Sequence, residues 1–291
     1  MIEETEVDFK PHPLFGAWWL PDNEVMPEGV IVAIHGLGSH STREFHYAGP
    51  YMAERKYAMF AIDLPGFGKW KGLKGNVKSW KMIRNAVQRA IDTAHERFPD
   101  LPLFLMGQSL GGLTILEYGL SVKEPRPVKL SGFIAYVPAI DYNVEITWYQ
   151  KLGVALVGFL AGNVKYEQKE LKETECHDPN SYAWSWKEDP LFVPYQRIGF
   201  ILKLWFKMKF VTKNAKNWRD PLMVICADMD SAVKTETVKT WCDTVKEWAD
   251  PANVPVEYHL FEETYHVISH ELKRDEAFQI SLDFIKKIQD K

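Results

Sequence analysis

Leu101-Pro102-Leu103-Phe104-Leu105-Met106-Gly107-Gln108-Ser109-Leu110-Gly111-Gly112-Leu113-Thr114-Ile115-Leu116-Glu117-Tyr118 decides the reading of this chain. The apolar run 101–106 predicts a buried strand, and 112–118 predicts a helix. Between them stands Gly107-Gln108-Ser109-Leu110-Gly111, a G-x-S-x-G pentapeptide in the strand-turn-helix context of a nucleophile elbow. Glycines on either side of Ser109 let strand and helix approach in a turn too tight for larger side chains. The serine then stands alone at a helix N-terminus, whose N–H groups face any developing negative charge. That arrangement suits acyl transfer.

Outward from this turn, strand and helix patterns alternate, which predicts an α/β fold with a mostly parallel sheet flanked by helices. Strands are expected at 14–20 (an early edge strand ending at Pro21), 30–34, 58–64, 101–106, 133–137, 222–227 and 256–261. Helices are expected at 45–55, 80–98, 235–248 and 277–288. In the second of these, Ile83, Val87 and Ile91 recur at helical spacing, with Arg84 and Arg89 on other faces. The rhythm breaks over 141–217, a proline-bearing, aromatic-rich stretch that is too long for an ordinary connection. It predicts a helical cap inserted above the carboxyl edge of the sheet, within one domain spanning 1–291.

The composition narrows the field. A formal charge of −4 gives no reason to expect a nucleic-acid partner. Cys176, Cys226 and Cys242 are sparse, odd in number and form no C-x-x-C, which points to buried thiols in a reducing compartment. The acidic start Met1-Ile2-Glu3-Glu4-Thr5-Glu6 has no apolar core of the secretory kind. The longest apolar run, 152–162, is about half of the ~20 residues a membrane span requires. The expectation is a cytoplasmic protein, either free or peripheral to a membrane.

Three further segments converge on Ser109 in chain order. His35-Gly36-Leu37-Gly38 follows the strand at 30–34 and allows a turn that aims an N–H at the serine; with the N–H of Leu110, that of Leu37 would form an oxyanion hole. Taken alone, the segment fits an ordinary strand-end turn equally well. Ala227-Asp228-Met229-Asp230-Ser231-Ala232-Val233 ends a late strand and offers two aspartates. D-x-x-V favours Asp230 as the acid that orients a histidine, Asp228 remains a competitor, and either could simply cap the helix that follows. Thr264-Tyr265-His266-Val267 follows the last strand, and His266 completes the order Ser, Asp, His as general base and then general acid. His259 alternates along a strand and His270 stands at a helix start, so both are expected to be structural. No H-E-x-x-H or clustered ligand set suggests a metal, and Gly66-Phe67-Gly68 is no dinucleotide fingerprint.

With these segments in place, the chain resembles the α/β-hydrolases of the monoacylglycerol lipase and lysophospholipase type. The resemblance is carried by His35-Gly36-Leu37-Gly38-Ser39-His40-Ser41, Asp63-Leu64-Pro65-Gly66-Phe67-Gly68, Gly107-Gln108-Ser109-Leu110-Gly111-Gly112, Asp189-Pro190-Leu191 and Tyr265-His266-Val267. It implies an α/β-hydrolase fold, no cofactor, a Ser109-Asp230-His266 triad and oxyanion donors at Leu37 and Leu110. It also implies a lipid ester substrate, a monoacylglycerol or a lysophospholipid. Serine at the elbow argues against haloalkane dehalogenases and epoxide hydrolases, which use aspartate there. Gln108 stands where this branch often has histidine, the acid loop lacks the usual glycine before the aspartate, and the insertion matches little outside Asp189-Pro190-Leu191.

Gln108 and Val267 beside the triad, and Trp184 and Trp186 in the insertion, are candidate substrate contacts. An apolar surround with few polar anchors suits a fatty ester. Over 198–211, Lys203 and Lys207 share one helical face, with Leu202, Trp205 and Phe206 largely elsewhere. This predicts either a cap helix with solvated lysines or one whose outer face makes transient contact with a membrane surface. Rival functions are a short-chain carboxylesterase or thioesterase, and a non-catalytic ligand-binding protein on the same fold.

Overall fold

The structure, a computed structural model, describes residues 2–22, 25–122, 125–142, 162–167, 176–181, 187–250 and 254–290. Eight strands form one sheet in the order β1-β2-β4-β3-β5-β6-β9-β10. They are β1 (Ile2–Val7), β2 (Leu14–Trp19), β3 (Gly29–Ile34), β4 (Tyr57–Ile62), β5 (Leu103–Gln108), β6 (Gly132–Tyr136), β9 (Leu222–Ala227) and β10 (Val256–Phe261). From β4 to β10 every pairing is parallel, whereas β2 runs antiparallel to both β1 and β4. Parallel pairing demands long crossovers, and helices supply them.

The central strands are buried at every position and almost wholly apolar, as a sheet covered on both faces requires. Val30, Val32 and Ile34 of β3 pack into one core with Ile83, Val87 and Ile91 of α3 (Trp80–Arg97), Leu113 and Leu116 of α4 (Leu110–Ser121), and Val238 and Val245 of α6 (Thr235–Trp248). Ile31 and Ala33 pack on the other face, with Phe45, with Ala48 and Met52 of α2 (Ala48–Glu54), and with Phe278 and Leu282 of α7 (Arg274–Gln289). The short helix α1 (Ser41–Glu44) precedes α2.

Three expectations change. The strand at 14–20 is not the edge: β1 covers it, a mostly exposed strand whose Glu3, Glu4 and Glu6 hide it from an apolar-pattern reading. The helix expected at 45–55 is shorter, α2 alone at Ala48–Glu54, and the separate short helix α1 stands ahead of the expected start. Within 141–217, the described part is not only helical. It holds two short paired strands, β7 (Lys165–Glu167) and β8 (Tyr195–Arg197), before α5 (Ile198–Lys213). Much of the remainder, including 152–160, lies outside the described residues.

Lys203 and Lys207 of α5 are also placed otherwise than as solvated lysines. Lys207 Nζ lies 2.8 Å from Glu117 Oε1, a carboxylate buried in α4 that also binds the Arg84 guanidinium of α3. Lys203 Nζ donates to the Gly199 carbonyl at 2.9 Å and to Asn76 Oδ1 at 3.3 Å. Both ammonium groups therefore turn toward the body, and Phe206 with Lys209 and Lys213 forms the exposed side of the helix. Glu117 is held below the usual carboxylate range: burial pushes it up, but Arg84 and Lys207 outweigh that. Removing one cation would strand buried charge, which is why helix α5 is pinned to α4 and not merely laid over it.

The tightest packing is at the elbow. A Cβ on Gly111 would collide with the Ile34 carbonyl, and one on Gly107 would collide with the Gly111 backbone. Gly111→Ala is expected to lower stability by about 3 kcal/mol or to prevent folding. Urea titration of the two proteins measures this.

Candidate active site

Four loops leave the carboxyl ends of β3, β5, β9 and β10 side by side, at the edge where ligands of open α/β sheets bind. Ser109 occupies the turn from β5 into α4 with φ 54° and ψ −110°. A non-glycine residue there is strained by about 1–3 kcal/mol and persists only when its surroundings over-determine it. They do: Ser109 N–H donates to the Tyr136 carbonyl at 2.9 Å, and the Ser109 carbonyl accepts from Leu113 N–H and Ala139 N–H, both at 3.0 Å.

His266 Nε2 lies 3.0 Å from Ser109 Oγ, and His266 Nδ1 lies 2.8 Å from Asp230 Oδ2. A carboxylate only accepts, so Nδ1 carries the proton and Nε2 is left to accept from the serine hydroxyl. Asp230 is buried, and its other oxygen accepts from Ala232 N–H at 2.8 Å and Val233 N–H at 2.9 Å. The same carboxylate thus caps its own turn and holds the histidine. Burial pushes its pKa up, yet His266 and these N–H donors bring it below the usual range. Asp228 is exposed and accepts from Thr264 N–H at 3.2 Å, tying the aspartate loop to the histidine loop. It does not meet His266; Asp230 does.

The other anticipated positions fall as follows. Leu110 is the first residue of α4, directly after Ser109. Leu37 follows Gly36, where an added Cβ would lie 3.7 Å from Ser109 Cβ, so the loop after β3 runs against the elbow. Val267 is half-buried next to His266. Gln108 is buried, and its amide is engaged within the protein: Nε2 donates to Glu44, and Oε1 accepts from Ser269 N–H at 3.1 Å. Its side chain braces the site from behind. Trp184 and Trp186 lie outside the described residues.

Several residues to which the sequence reading gave no role, most of them within the segments that carry the resemblance, hold these loops. His35 Nδ1 donates to the Gly36 carbonyl at 2.7 Å while Nε2 accepts from Leu64 N–H at 3.0 Å, which joins the ends of β3 and β4 through a neutral ring. Asp63 Oδ1 accepts from Ser41 N–H at 2.8 Å and Ser41 Oγ at 2.6 Å. Asp189 binds His40 Nε2 at 2.9 Å and Arg43 Nη1 at 3.1 Å, and Val193 N–H donates to the Gly38 carbonyl at 2.8 Å. These contacts clamp the segment 189–193 onto the loop after β3. Glu271 accepts from Tyr265 N–H at 2.8 Å and lies 3.1 Å from His177 Nδ1. The partners are far apart in the chain, so only folding reveals them. The three cysteines are buried and free. Among the described residues no group of side chains is disposed to hold a metal, and no helix is long and apolar enough to cross a membrane.

A mostly parallel sheet that carries a strained serine turn at its carboxyl edge, backed by a histidine from the last strand's loop, is the architecture of the α/β-hydrolases. Within them the chain belongs to the family described as serine aminopeptidase, S33, which it matches over residues 26–273. It is 25% identical over 259 residues to the phospholipase YtpA of Bacillus subtilis, covering 89% of this chain and 95% of that protein. It is 29% identical over 152 residues to mouse monoglyceride lipase, covering 52% of this chain and 48% of the mouse protein. It spans only 27% of the length of a longer, uncharacterized abhydrolase domain-containing protein of Dictyostelium discoideum, at 26% identity over 92% of this chain. The fold is shared with a soluble variant of monoglyceride lipase from Saccharomyces cerevisiae solved with a substrate analog (TM-score 0.79, 20% identity, 99% of this chain and 94% of that one).

Two buried imidazoles behind the site make stability depend on pH. Burial depresses His35 to about 4 and His270 to about 3. Both rings are neutral in the native protein but take up a proton once unfolded, so stability falls as pH drops from the ordinary histidine value of about 6.5 toward these values. For His35 the loss is on the order of 3 kcal/mol. Glu117 and Asp230, held low, add their loss only below the usual carboxylate range of about 4. The urea midpoint is expected to be lower at pH 5 than at pH 7, and this difference is expected to shrink in His270→Gln.

Proposed function

We propose that this protein is a serine hydrolase cleaving carboxylic esters with an apolar acyl chain, a monoacylglycerol or a lysophospholipid, through a covalent acyl-enzyme. The observation that carries the reading is the unbroken chain from Ser109 Oγ through His266 to Asp230, at 3.0 and 2.8 Å. Ser109 Oγ attacks the ester carbonyl carbon as His266 Nε2 takes its proton. Asp230 holds the ring in its Nδ1–H tautomer and stabilises the imidazolium. The N–H groups of Leu37 and Leu110 receive the oxyanion, each contributing about 3 kcal/mol in the transition state. Collapse expels the alcohol, which leaves with the proton from His266. Water, deprotonated by His266 in turn, then releases the carboxylic acid and restores Ser109.

The choice of ester rests on the relatives named phospholipase and monoglyceride lipase, and on apolar residues around the serine such as Leu37, Leu110 and Val267. In this reading 141–217 is a cap over the site within one domain, and no cofactor is needed. The cap's exposed helix side, Phe206 with Lys209 and Lys213, fits transient contact with an anionic lipid surface from the cytoplasm. The family's name speaks of peptides, so an aminoacyl anilide belongs among the test substrates.

Ser109→Ala is expected to abolish fluorophosphonate labelling and turnover of p-nitrophenyl esters while the circular dichroism spectrum is unchanged. Retained turnover would sink the reading. Asp230→Asn is expected to lower kcat by about four orders of magnitude, and Asp228→Asn by less than about twofold. A butyrate, laurate and palmitate series measures chain length: a preference for butyrate would replace the lipase with a short-chain esterase. Sedimentation with anionic liposomes tests the surface contact, and Phe206→Asp is expected to reduce the bound fraction severalfold.

A further inference from the structure

Glu44 is a buried carboxylate to which the acyl-transfer steps give no task. It stands at the end of α1, behind the elbow. Its Oε2 accepts from Gly36 N–H at 3.3 Å, and its Oε1 accepts from the Gln108 amide. Gln108 in turn accepts from Ser269 N–H at 3.1 Å, three residues beyond His266. Gly36 is wedged between the carboxylate and the nucleophile: a Cβ built on it would lie 3.3 Å from Glu44 Oε2 and 3.7 Å from Ser109 Cβ. One side chain therefore touches the loop that leads into Leu37, the residue preceding Ser109 and, through that residue, the histidine loop.

We propose that Glu44 is a positioning residue of the ester-hydrolase site, whose carboxylate fixes the peptide leading into Leu37 and orients Gln108 toward the histidine loop. This rests on the serine-hydrolase reading. An anion behind the site lowers the energy of the cation that forms on His266 as the ester is attacked, in addition to the effect of Asp230. The donors around Glu44 suit a charged acceptor: Gly36 N–H, the Gln108 amide and the Ser39 hydroxyl all point at it. The groups that face it are Arg43 on its own helix, which also binds Asp189, and His266 across the site, which takes up charge as the ester is attacked. The His35 and His270 rings nearby are kept neutral by burial. Burial pushes the Glu44 carboxyl above its ordinary range, and Ser39, Gly36, Arg43 and His266 oppose that. An amide in its place would set an NH2 group against the Gly36 N–H or the Gln108 NH2, so one bond must be lost.

The test is Glu44→Gln beside wild type and Ser109→Ala, with the pH dependence of kcat/KM on a p-nitrophenyl ester and the rate of fluorophosphonate labelling. In Glu44→Gln, kcat is expected to fall about tenfold with KM within about twofold, because the reacting groups are displaced while the acyl pocket is intact. Removing the negative charge lowers the pKa of His266, so the acid limb of the profile moves to lower pH. A side chain that only supports the fold would leave that limb in place. If Glu44→Gln does not fold, Glu44→Asp decides: the charge is kept and its reach shortened, so the limb stays at the wild-type pH while kcat falls severalfold. Wild-type kinetics and an unmoved limb in Glu44→Gln, or wild-type kcat in Glu44→Asp, overturn the proposal alone. A wild-type protein that neither reacts with the probe nor hydrolyses any ester overturns the hydrolase reading itself, and this proposal with it.

Discussion

Everything at the site depends on how closely α4 approaches β3. The backbone of Gly111 lies against the Ile34 carbonyl, and Gly107 lies against Gly111, with no room for a Cβ at either position. That contact forces the chain to turn within one residue, and Ser109 takes the strain, at φ 54°. The strain is tolerated because the turn is nailed down by hydrogen bonds to Tyr136, Leu113 and Ala139. A relaxed turn would let the hydroxyl swing; this one aims it at His266.

Around the turn, loops from four strands are joined by charge and by hydrogen bonds from buried polar groups. Asp230 serves its own turn and His266 together; Asp63 and His35 join the ends of β3 and β4; Glu271 holds the peptide before His266. Buried carboxylates are stable only with donors on every side, so each such residue fixes the positions of several backbone segments at once. The segment between β6 and β9 is attached by the same means. Asp189 meets His40 and Arg43 at the loop after β3, and Lys207 meets Glu117 in α4. A change at 189–193 or in α5 therefore reaches the elbow through one or two contacts.

The sheet was largely legible because its signals are local. Strands β3, β5, β6, β9 and β10 and helices α3 and α6 follow from apolar runs and helical periodicity within each segment. The exceptions share a cause. In β1, glutamates cover the outside of a strand whose partner is visible only in three dimensions. In α5, Lys203 and Lys207 look like solvated residues by pattern, yet the carboxylate that draws Lys207 inward sits 90 positions away. Glu44 stands in the polar run Ser41-Thr42-Arg43-Glu44 and gives no sign of burial, because Gln108, its amide partner, is 64 positions distant.

By itself the sequence determined the strand-turn-helix around Ser109, the alternation that makes a parallel sheet, and the chain order of serine, aspartate and histidine. Each is a property of neighbouring residues: where glycine is required, where apolar side chains repeat, which loop follows which strand. Only the tertiary structure set Asp230, and not Asp228, against His266, turned Gln108 away into the protein, and drew Lys207 and Glu44 inward. Those outcomes depend on which polar groups meet once water is excluded. A buried charge is governed by partners that sequence distance does not reveal.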